Sequence, residues 1–157
     1  MRIFLVFYFF LVPTLLQADE LPDQIQNGFS IKGSWEEVAG GYYGNYRVTD
    51  PSPANMPKKT ATWKIQVPVM GRSYRIQATW TPNPVNARNA KFSVFDGTRM
   101  LQIVTVNQQR MPRGERSERG VIFQDLGTFL IASSFIKVEL SNEASGRVVA
   151  DSVRVKQ

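Results

Sequence analysis

Two segments in the middle of the chain alternate strictly between apolar and polar residues. They are Ala61–Val67 and Tyr74–Trp80, and Pro68–Gly71 lies between them. Period-2 alternation buries one face of a strand and leaves the other face in water, which is typical of antiparallel sheets. Because proline and glycine favour turns, the pattern predicts a hairpin. The side chains predicted to point into the core are Trp63, Ile65, Val67, Tyr74, Ile76 and Trp80.

The rest of the chain is predicted to form further short strands separated by turns. Turn residues such as Asp96-Gly97 recur about every 8–12 residues, which favours an all-β antiparallel sandwich of roughly eight strands. The further strands are predicted at Phe29–Lys32, Phe92–Val94, Leu101–Val106, Val121–Phe123, Leu126–Leu130, Phe135–Leu140 and Val148–Val155. Loops are predicted at Gly40–Tyr46, Asp50–Lys59, Thr81–Ala90 and Arg110–Gly120.

The N-terminal segment has the layout of a secretory signal peptide. Met1-Arg2 is a short basic start, Ile3–Leu16 is apolar apart from two residues, and Leu16-Gln17-Ala18 ends in a small residue. The apolar run is shorter than the about 20 residues of a membrane-spanning helix. The sequence therefore predicts cleavage after Ala18 and secretion to the extracellular space or the periplasm, with a retained anchor as the alternative.

Composition excludes several kinds of chemistry. The chain has no histidine and no cysteine, which rules out Ser-His-Asp and Cys-His catalysis, zinc sites built on imidazole or thiolate, and disulfides. A pair of carboxylates of the glycosidase kind remains possible, but no two acidic residues stand at a paired motif spacing. We therefore expect no catalytic residue, metal or cofactor. Residues 19–28 are expected to form a flexible lead-in, and residues 29–157 a single domain.

Six stretches occur in the order in which one known domain family carries them. They are Gly41–Gly44 with Tyr46-Arg47, Ala61–Thr81, Asn89-Ala90, Val104–Gln109, Leu126–Phe129 and Val148–Arg154. On these stretches the chain resembles the Golvesin C-terminal/xanthan-lyase carbohydrate-binding-like domain from about Phe29 to Val155. The resemblance implies a jelly-roll-like β-sandwich that is not catalytic and that usually accompanies extracellular enzymes or surface proteins.

Two loops depart from the pattern of that family. Val85-Asn86 stands where the family tends to carry an Asn-Arg pair, and Arg88 is close by. The segment Arg110–Gly120 is longer than the short Gly-Gly loop of the family, and Phe123 stands in the place of a tryptophan. These departures predict that the ligand is changed or lost in this chain.

Candidate sugar-binding residues lie in the loops of the predicted sandwich. Sugars present an apolar face and hydroxyl edges, so their sites pair aromatic rings with planar amides, carboxylates or arginine. The candidates are Tyr42, Tyr43, Tyr46, Arg88, Asn89, Gln108 and Gln109. The alternative is that the tyrosines cap the sandwich and the amides bond loop backbone. Asp151 shares the phase of the neighbouring valines, and we expect it to accept hydrogen bonds from a loop.

A second candidate site is the basic loop, in which every third residue is an arginine. The candidates are Arg110, Arg113, Arg116 and Arg119, and two glutamates reduce the net charge of the loop to +2. Arginine makes bidentate contacts with carboxylate, sulfate or phosphate, so the loop predicts an anionic surface polymer as partner. The alternative is a solvated loop that pairs with itself. We do not expect nucleic acid, because few aromatic residues flank the arginines.

Three functions are compatible with these features. The favoured one is a secreted, non-catalytic carbohydrate-binding module for an extracellular or cell-envelope polysaccharide, with an anionic polymer as one version. The second is a structural or protein-interaction domain of the envelope that has a protein partner and no glycan ligand. The third, a carboxylate-dependent enzyme, is disfavoured by the lack of paired acidic residues. No membrane span is expected after signal cleavage.

Overall fold

The chain folds into antiparallel sheets, as seen in a computed structural model that describes residues 28–53 and 55–157. The strands are β1 Phe29–Lys32, β2 Glu36–Ala39, β3 Asn45–Thr49, β4 Thr60–Gln66, β5 Arg72–Thr79, β6 Ala90–Asp96, β7 Arg99–Val106, β8 Gly114–Arg116, β9 Ile122–Ile131, β10 Phe135–Ser141, β11 Val148–Ala150 and β12 Ser152–Lys156. The predicted signal peptide, residues 1–18, and residues 19–27 of the predicted lead-in lie outside the described residues.

The described strands form three sheets. The five-stranded sheet has the order β1-β4-β10-β6-β7, the four-stranded sheet β12-β5-β9-β8 and the three-stranded sheet β11-β3-β2. The all-β antiparallel prediction is confirmed, with twelve strands in the described residues in place of roughly eight. No helix in this part of the chain is long and apolar enough to cross a membrane.

The inner faces of the five-stranded and four-stranded sheets share one hydrophobic core. Trp63 of β4 and Ile76 of β5 lie in the same buried cluster, together with Ile136 of β10 and Val153 of β12. The predicted inward side chains are all buried except Val67, which is half-buried and packs against the cluster. Strict alternation therefore reported correctly which face of each strand is buried.

The predicted hairpin of the two alternating segments is wrong. β4 pairs with β1 and β10, whereas β5 pairs with β9 and β12, so the two segments belong to different sheets. The connection crosses from one sheet to the other and is held by Tyr74, whose hydroxyl donates to the Val69 carbonyl oxygen at 2.7 Å. Gly71 has φ 73°, a conformation that favours glycine. Alternation identifies the buried face of a strand but not its neighbouring strand.

Three other strand predictions also need correction. The predicted final strand Val148–Val155 is two strands, because β11 pairs with β3 and β12 pairs with β5, with Asp151 between them. The two predicted segments Val121–Phe123 and Leu126–Leu130 lie within and around one strand, β9, whose register with β5 shifts at Asp125–Gly127. The predicted loop Arg110–Gly120 contains β8, which pairs with β9. The hairpin of β2 and β3 was not predicted.

Candidate functional site

Two cavities lie side by side along the β2–β3 hairpin, and we call them together the hairpin groove. The first has a volume of about 340 Å³, and the second about 210 Å³. The first is lined by residues that include Trp35, Glu36, Thr49, Asp50, Lys59 and Arg147. The second is lined by residues that include Val38, Tyr46, Asn83, Val85, Asn86 and Arg147. Glu36, Val48 and Arg147 contribute to both cavities, so the two are continuous neighbours.

Strand register brings the walls of the hairpin groove together. Glu36 pairs with Val48, and Val38 pairs with Tyr46, so all four side chains lie on one face of the three-stranded sheet. Trp35, directly before β2, is half-buried, and its Nε1 donates to the Lys32 carbonyl oxygen at 3.3 Å. The groove therefore has an aromatic ring in each cavity.

Charged groups of both signs line the hairpin groove. The Nε of Arg147 lies 3.5 Å from the Oδ1 of Asp50, and the Nζ of Lys59 donates to the Thr49 hydroxyl at 3.1 Å. Glu36 is exposed. These groups can donate and accept hydrogen bonds with hydroxyls, while the rings can cover an apolar ligand face. Within the described residues no group of three or more carboxylates is placed to hold a metal ion.

Two predicted tyrosines and one predicted arginine come together in what we call the tyrosine–arginine cluster. The Arg119 Cζ lies 5.2 Å from the ring centroid of Tyr42 and 4.8 Å from that of Tyr43, and its Nη1 donates to the Tyr42 carbonyl oxygen at 3.3 Å. The two tyrosine rings meet edge to face, with centroids 4.6 Å apart. The Tyr42 ring also meets the buried Phe123 at 5.0 Å. Phe123 is thus the base of this cluster.

Asp151 holds the loop that carries these tyrosines. Its Oδ1 accepts hydrogen bonds from the Tyr42 amide at 3.0 Å and from the Ser152 hydroxyl at 3.2 Å, as expected for an acceptor from a loop. Burial raises the pKa of Asp151 above its ordinary value, and these hydrogen bonds oppose the rise. A Cβ at Gly41 would lie 2.7 Å from Asp151 Oδ2, and Gly41 has φ 74°, so only glycine fits there.

The predicted amides bond backbone groups around the loop at residues 81–89. Gln108 is 0% exposed, and its side chain donates to the Val149 carbonyl oxygen at 2.7 Å and accepts from the Val149 amide at 2.9 Å. The Nε2 of Gln109 donates to the carbonyl oxygens of Pro84 and Asn86, at 2.8 and 2.9 Å.

Arg88 and Asn89 belong to the same part of the fold as these amides. Their side chains contact Gln109 and Ser145 rather than the tyrosine–arginine cluster. The exposed Arg88 donates from Nε to the Gln109 Oε1 at 3.0 Å. The Asn89 Oδ1 accepts from the Ser145 amide at 2.7 Å. Gln109 contacts Asn86, which lines the second cavity, so this set adjoins the hairpin groove.

The basic loop makes hydrogen bonds within itself and with residues outside it. The Arg116 Nη1 donates to the Gly120 carbonyl oxygen at 2.6 Å, and the Arg110 carbonyl oxygen accepts from the Trp80 Nε1 at 2.8 Å. Arg113 is exposed, and its amide donates to the Gln124 Oε1 at 3.1 Å. The four predicted arginines therefore differ in their surroundings, and only Arg119 joins the tyrosines.

Glu115 of β8 ties the basic loop to the outer face of the four-stranded sheet. It accepts a hydrogen bond from the Lys156 Nζ at 2.7 Å and pairs with Arg75, and its Oε2 lies 3.8 Å from the Nη2 of the buried Arg154. The hydrogen bond from Lys156, with the nearby positive charges, lowers the pKa of Glu115 below its ordinary value. Glu115 of the basic loop thus pairs with cations of β5 and β12.

The hairpin groove was missed by reasoning from the sequence. The adjacent residues Trp35 and Glu36 are far along the chain from Arg147, and no local pattern joins them to it. One signal was available in the sequence. Trp35 lies outside the two alternating segments, so no alternation phase assigned it to the core as it did Trp63 and Trp80. Among the predicted ligand-binding residues, only Tyr46 lines this groove in the described structure.

Comparisons with known proteins bear on the family and the fold of this chain. The family described as the Golvesin C-terminal domain matches residues 21–157. No curated protein sequence matches the chain. In a structure of Paenibacillus xanthan lyase, a similar region has 24% sequence identity and a TM-score of 0.64, and the match covers 88% of this chain and 12% of the lyase chain.

A second similar structure is the exo-β-1,3-galactanase from Phanerochaete chrysosporium, solved with β-1,3-galactotriose. It has 17% identity and a TM-score of 0.57, and the match covers 88% of this chain and 29% of the galactanase chain. The chain therefore spans less than a third of either enzyme. At these identities the likeness shows a shared fold.

Proposed function

The chain belongs to the Golvesin C-terminal domain family, and from that premise we propose that it is a secreted, non-catalytic module that binds a polysaccharide outside the cell. The proposal is supported by the fold, which occurs as a small part of two enzymes named for polysaccharide substrates. The N-terminal layout supports secretion. An accessory domain that binds carbohydrate would hold the protein that carries it on its polysaccharide.

The observation that carries this proposal is the hairpin groove. Its first cavity, of about 340 Å³, falls in the range of about 300–1,000 Å³ that is usual for ligand sites. Trp35 and Tyr46 supply rings for the apolar faces of two sugar units. Glu36 and Arg147, which line both cavities, supply hydrogen bonds to hydroxyl edges between the rings. Arg88, Asn89, Gln108 and Gln109 act in this proposal by positioning the loop at residues 81–89.

The tyrosine–arginine cluster is proposed as a separate contact for acidic sugars. The guanidinium of Arg119 lies over both tyrosine rings, so the cluster offers a cation backed by aromatic surface rather than open ring faces. Tyr43 is 40% exposed beside it. Arg110, Arg113 and Arg116 would add long-range attraction for an anionic polymer along the same loop.

Binding measurements on ring-deletion variants test the groove. Xanthan fragments and β-1,3-galactotriose would be titrated into the parent and into Trp35→Ala and Tyr46→Ala. Each variant should bind about tenfold more weakly or worse, because a ring contact contributes about 0.5–1.5 kcal/mol beyond its buried area. Tyr43→Ala is the matched control outside the groove and should bind the neutral β-1,3-galactotriose like the parent.

The outcomes separate the candidate functions. Loss of binding in Tyr43→Ala but not in Tyr46→Ala would move the site to the tyrosine–arginine cluster. Parent protein that binds no polysaccharide would favour a structural or protein-interaction domain. Release of reducing ends from any of these polysaccharides would contradict the non-catalytic proposal.

A further inference from the structure

The outward face of the five-stranded sheet concentrates lysines beside aromatic rings. Lys64 of β4 and Lys137 of β10 are direct cross-strand partners, and Phe95 of β6 is the next partner of Lys137 in the same row. Their chain neighbours Trp63 and Ile136 are buried in the core. Because side chains alternate along a strand, both lysines point away from the core.

These two lysines place like charges opposite each other in the middle of a sheet. β4 and β10 are interior strands in the order β1-β4-β10-β6-β7, so neither lysine protects a sheet edge from pairing. Directly opposed like charges destabilise an antiparallel pair. Each ammonium lies over a phenyl ring, with the Lys64 Nζ 4.2 Å from the Phe135 centroid and the Lys137 Nζ 3.7 Å from that of Phe95. The rings position the charges but do not neutralise them.

The same face carries two further lysines and one carboxylate. Lys32 of β1 and Lys91 of β6 lie in a second row, through cross-strand pairs with β4 and β10. On the outward positions of the described strands of this sheet, the acidic residue is Glu139, 3.9 Å from the Lys137 Nζ. Glu143, beyond the end of β10, is paired with Lys58 at 2.5 Å. The four lysines and one glutamate leave this face with a charge of +3.

We propose that this lysine face, formed by Lys32, Lys64, Lys91 and Lys137, binds a carboxylate-bearing polysaccharide separately from the hairpin groove. An anionic chain would supply the negative charge that one nearby carboxylate, Glu139, does not supply to both lysines of the opposed pair. The two lysine rows are four residues apart along β4, or about 13 Å at about 3.3 Å per residue. A polymer with repeated carboxylates reaches both rows, whereas a single small anion reaches one.

The exposed apolar groups of this face suit a sugar chain rather than a bilayer. Met100 and Ile103 of β7 are 52% and 51% exposed and offer flat apolar area beside the lysines. Phe95 is only 8% exposed beneath Lys137, so its ring is not available to enter a membrane. The proposal is independent of the groove, since none of the four lysines lines either cavity of the groove.

Affinity electrophoresis in gels that contain polygalacturonate tests the lysine face. The double variant Lys64→Gln/Lys137→Gln should bind about tenfold more weakly than the parent, since two exposed ion pairs are lost. Binding by the parent should fall steeply between about 0.05 M and about 0.5 M NaCl as salt shortens the Debye length. A gel with neutral dextran should retain neither protein.

A charge-matched control comes from the opposite side of the fold. Arg72→Gln/Arg75→Gln removes the same number of positive charges from solvent-accessible positions of β5, and it should bind polygalacturonate within about twofold of the parent. Equal losses in both double variants would assign binding to net charge and overturn the proposal. Unchanged binding by the lysine variant would also overturn it.

Two more measurements complete the test. Vesicles of phosphatidylglycerol that bind the parent more tightly than polygalacturonate does would assign the face to a membrane surface and overturn the proposal. The melting temperature of the lysine variant should equal or exceed that of the parent, because its opposed charges are removed. A clear fall would show that the lysines serve the fold through their ring contacts, and this would overturn the proposal too.

Discussion

Replacement of Gln108 by methionine is the sharpest test of how the amides act. Methionine keeps most of the side-chain volume but removes both hydrogen bonds to Val149, whose backbone amide and carbonyl would then be buried without these partners. Each buried polar group that loses its partner costs about 1–3 kcal/mol, so the free energy of unfolding should fall by about 2–6 kcal/mol. At about 3 °C per kcal/mol for a chain of this size, the melting temperature should drop by at least about 6 °C.

Urea denaturation and thermal melting would measure this loss against a matched control. Gln102→Met makes the same chemical change at an exposed position of β7, and it should shift the free energy of unfolding by less than about 0.5 kcal/mol. The reasoning predicts that any lost glycan binding in Gln108→Met follows the lost stability. A Gln108→Met protein that melts like the parent but no longer binds glycan would refute it, and Gln108 would then be a ligand contact.

Two further predictions follow from buried groups. Trp80→Phe should lower the free energy of unfolding by about 1 kcal/mol more than Trp63→Phe does. The reason is that the Trp80 Nε1 donates to the Arg110 carbonyl oxygen, whereas the Trp63 Nε1 has no acceptor within the described residues. Equal losses in urea denaturation would contradict this. Burial raises the pKa of Asp151 in the folded protein above its ordinary value of 3.8. The free energy of unfolding of the parent therefore falls as pH rises from the ordinary pKa through the raised one, and this loss is absent at lower pH. The free energy of unfolding of Asp151→Asn relative to the parent should therefore rise from about pH 4 to about pH 7, and a pH-independent difference would be evidence against a buried carboxylate.

The sequence predicted the buried faces of strands better than it predicted their partners. Side-chain alternation is a local property of one strand, and it placed Trp63, Tyr74 and Trp80 correctly in the core. Pairing is decided by contacts between distant segments, and so the crossing of the chain from β4 to β5 left no local mark. The break at Asp151 was equally invisible, since strand residues lie on both sides of it and Asp151 keeps the alternation phase of Val149 and Val153.

The candidate site was predicted in part for a similar reason. The glycine-rich loop predicted a display of rings, and of its tyrosines Tyr43 is exposed whereas Tyr42 and Tyr46 are half-buried. Short strands such as β2 have mostly exposed side chains and lack the apolar phase that marks a strand in sequence. Without β2 and β3 there was no reason to place Tyr46 beside Trp35, and the groove between the two rings could not be foreseen.

The split between β11 and β12 has a consequence for when this chain can fold during its synthesis. Val48 of β3 pairs with Val149, and Gln77 of β5 pairs with Arg154, so two sheets receive edge strands from residues 148–156, which are made well after the strands that they pair with. Pairings between such distant residues form slowly, because a long loop must close before they contribute stability. At about 5–20 residues per second, the roughly 100 residues between Val48 and Val149 take about 5–20 s to make, and during this time β3 lacks its partner β11 and is open to proteases and to association with other nascent chains.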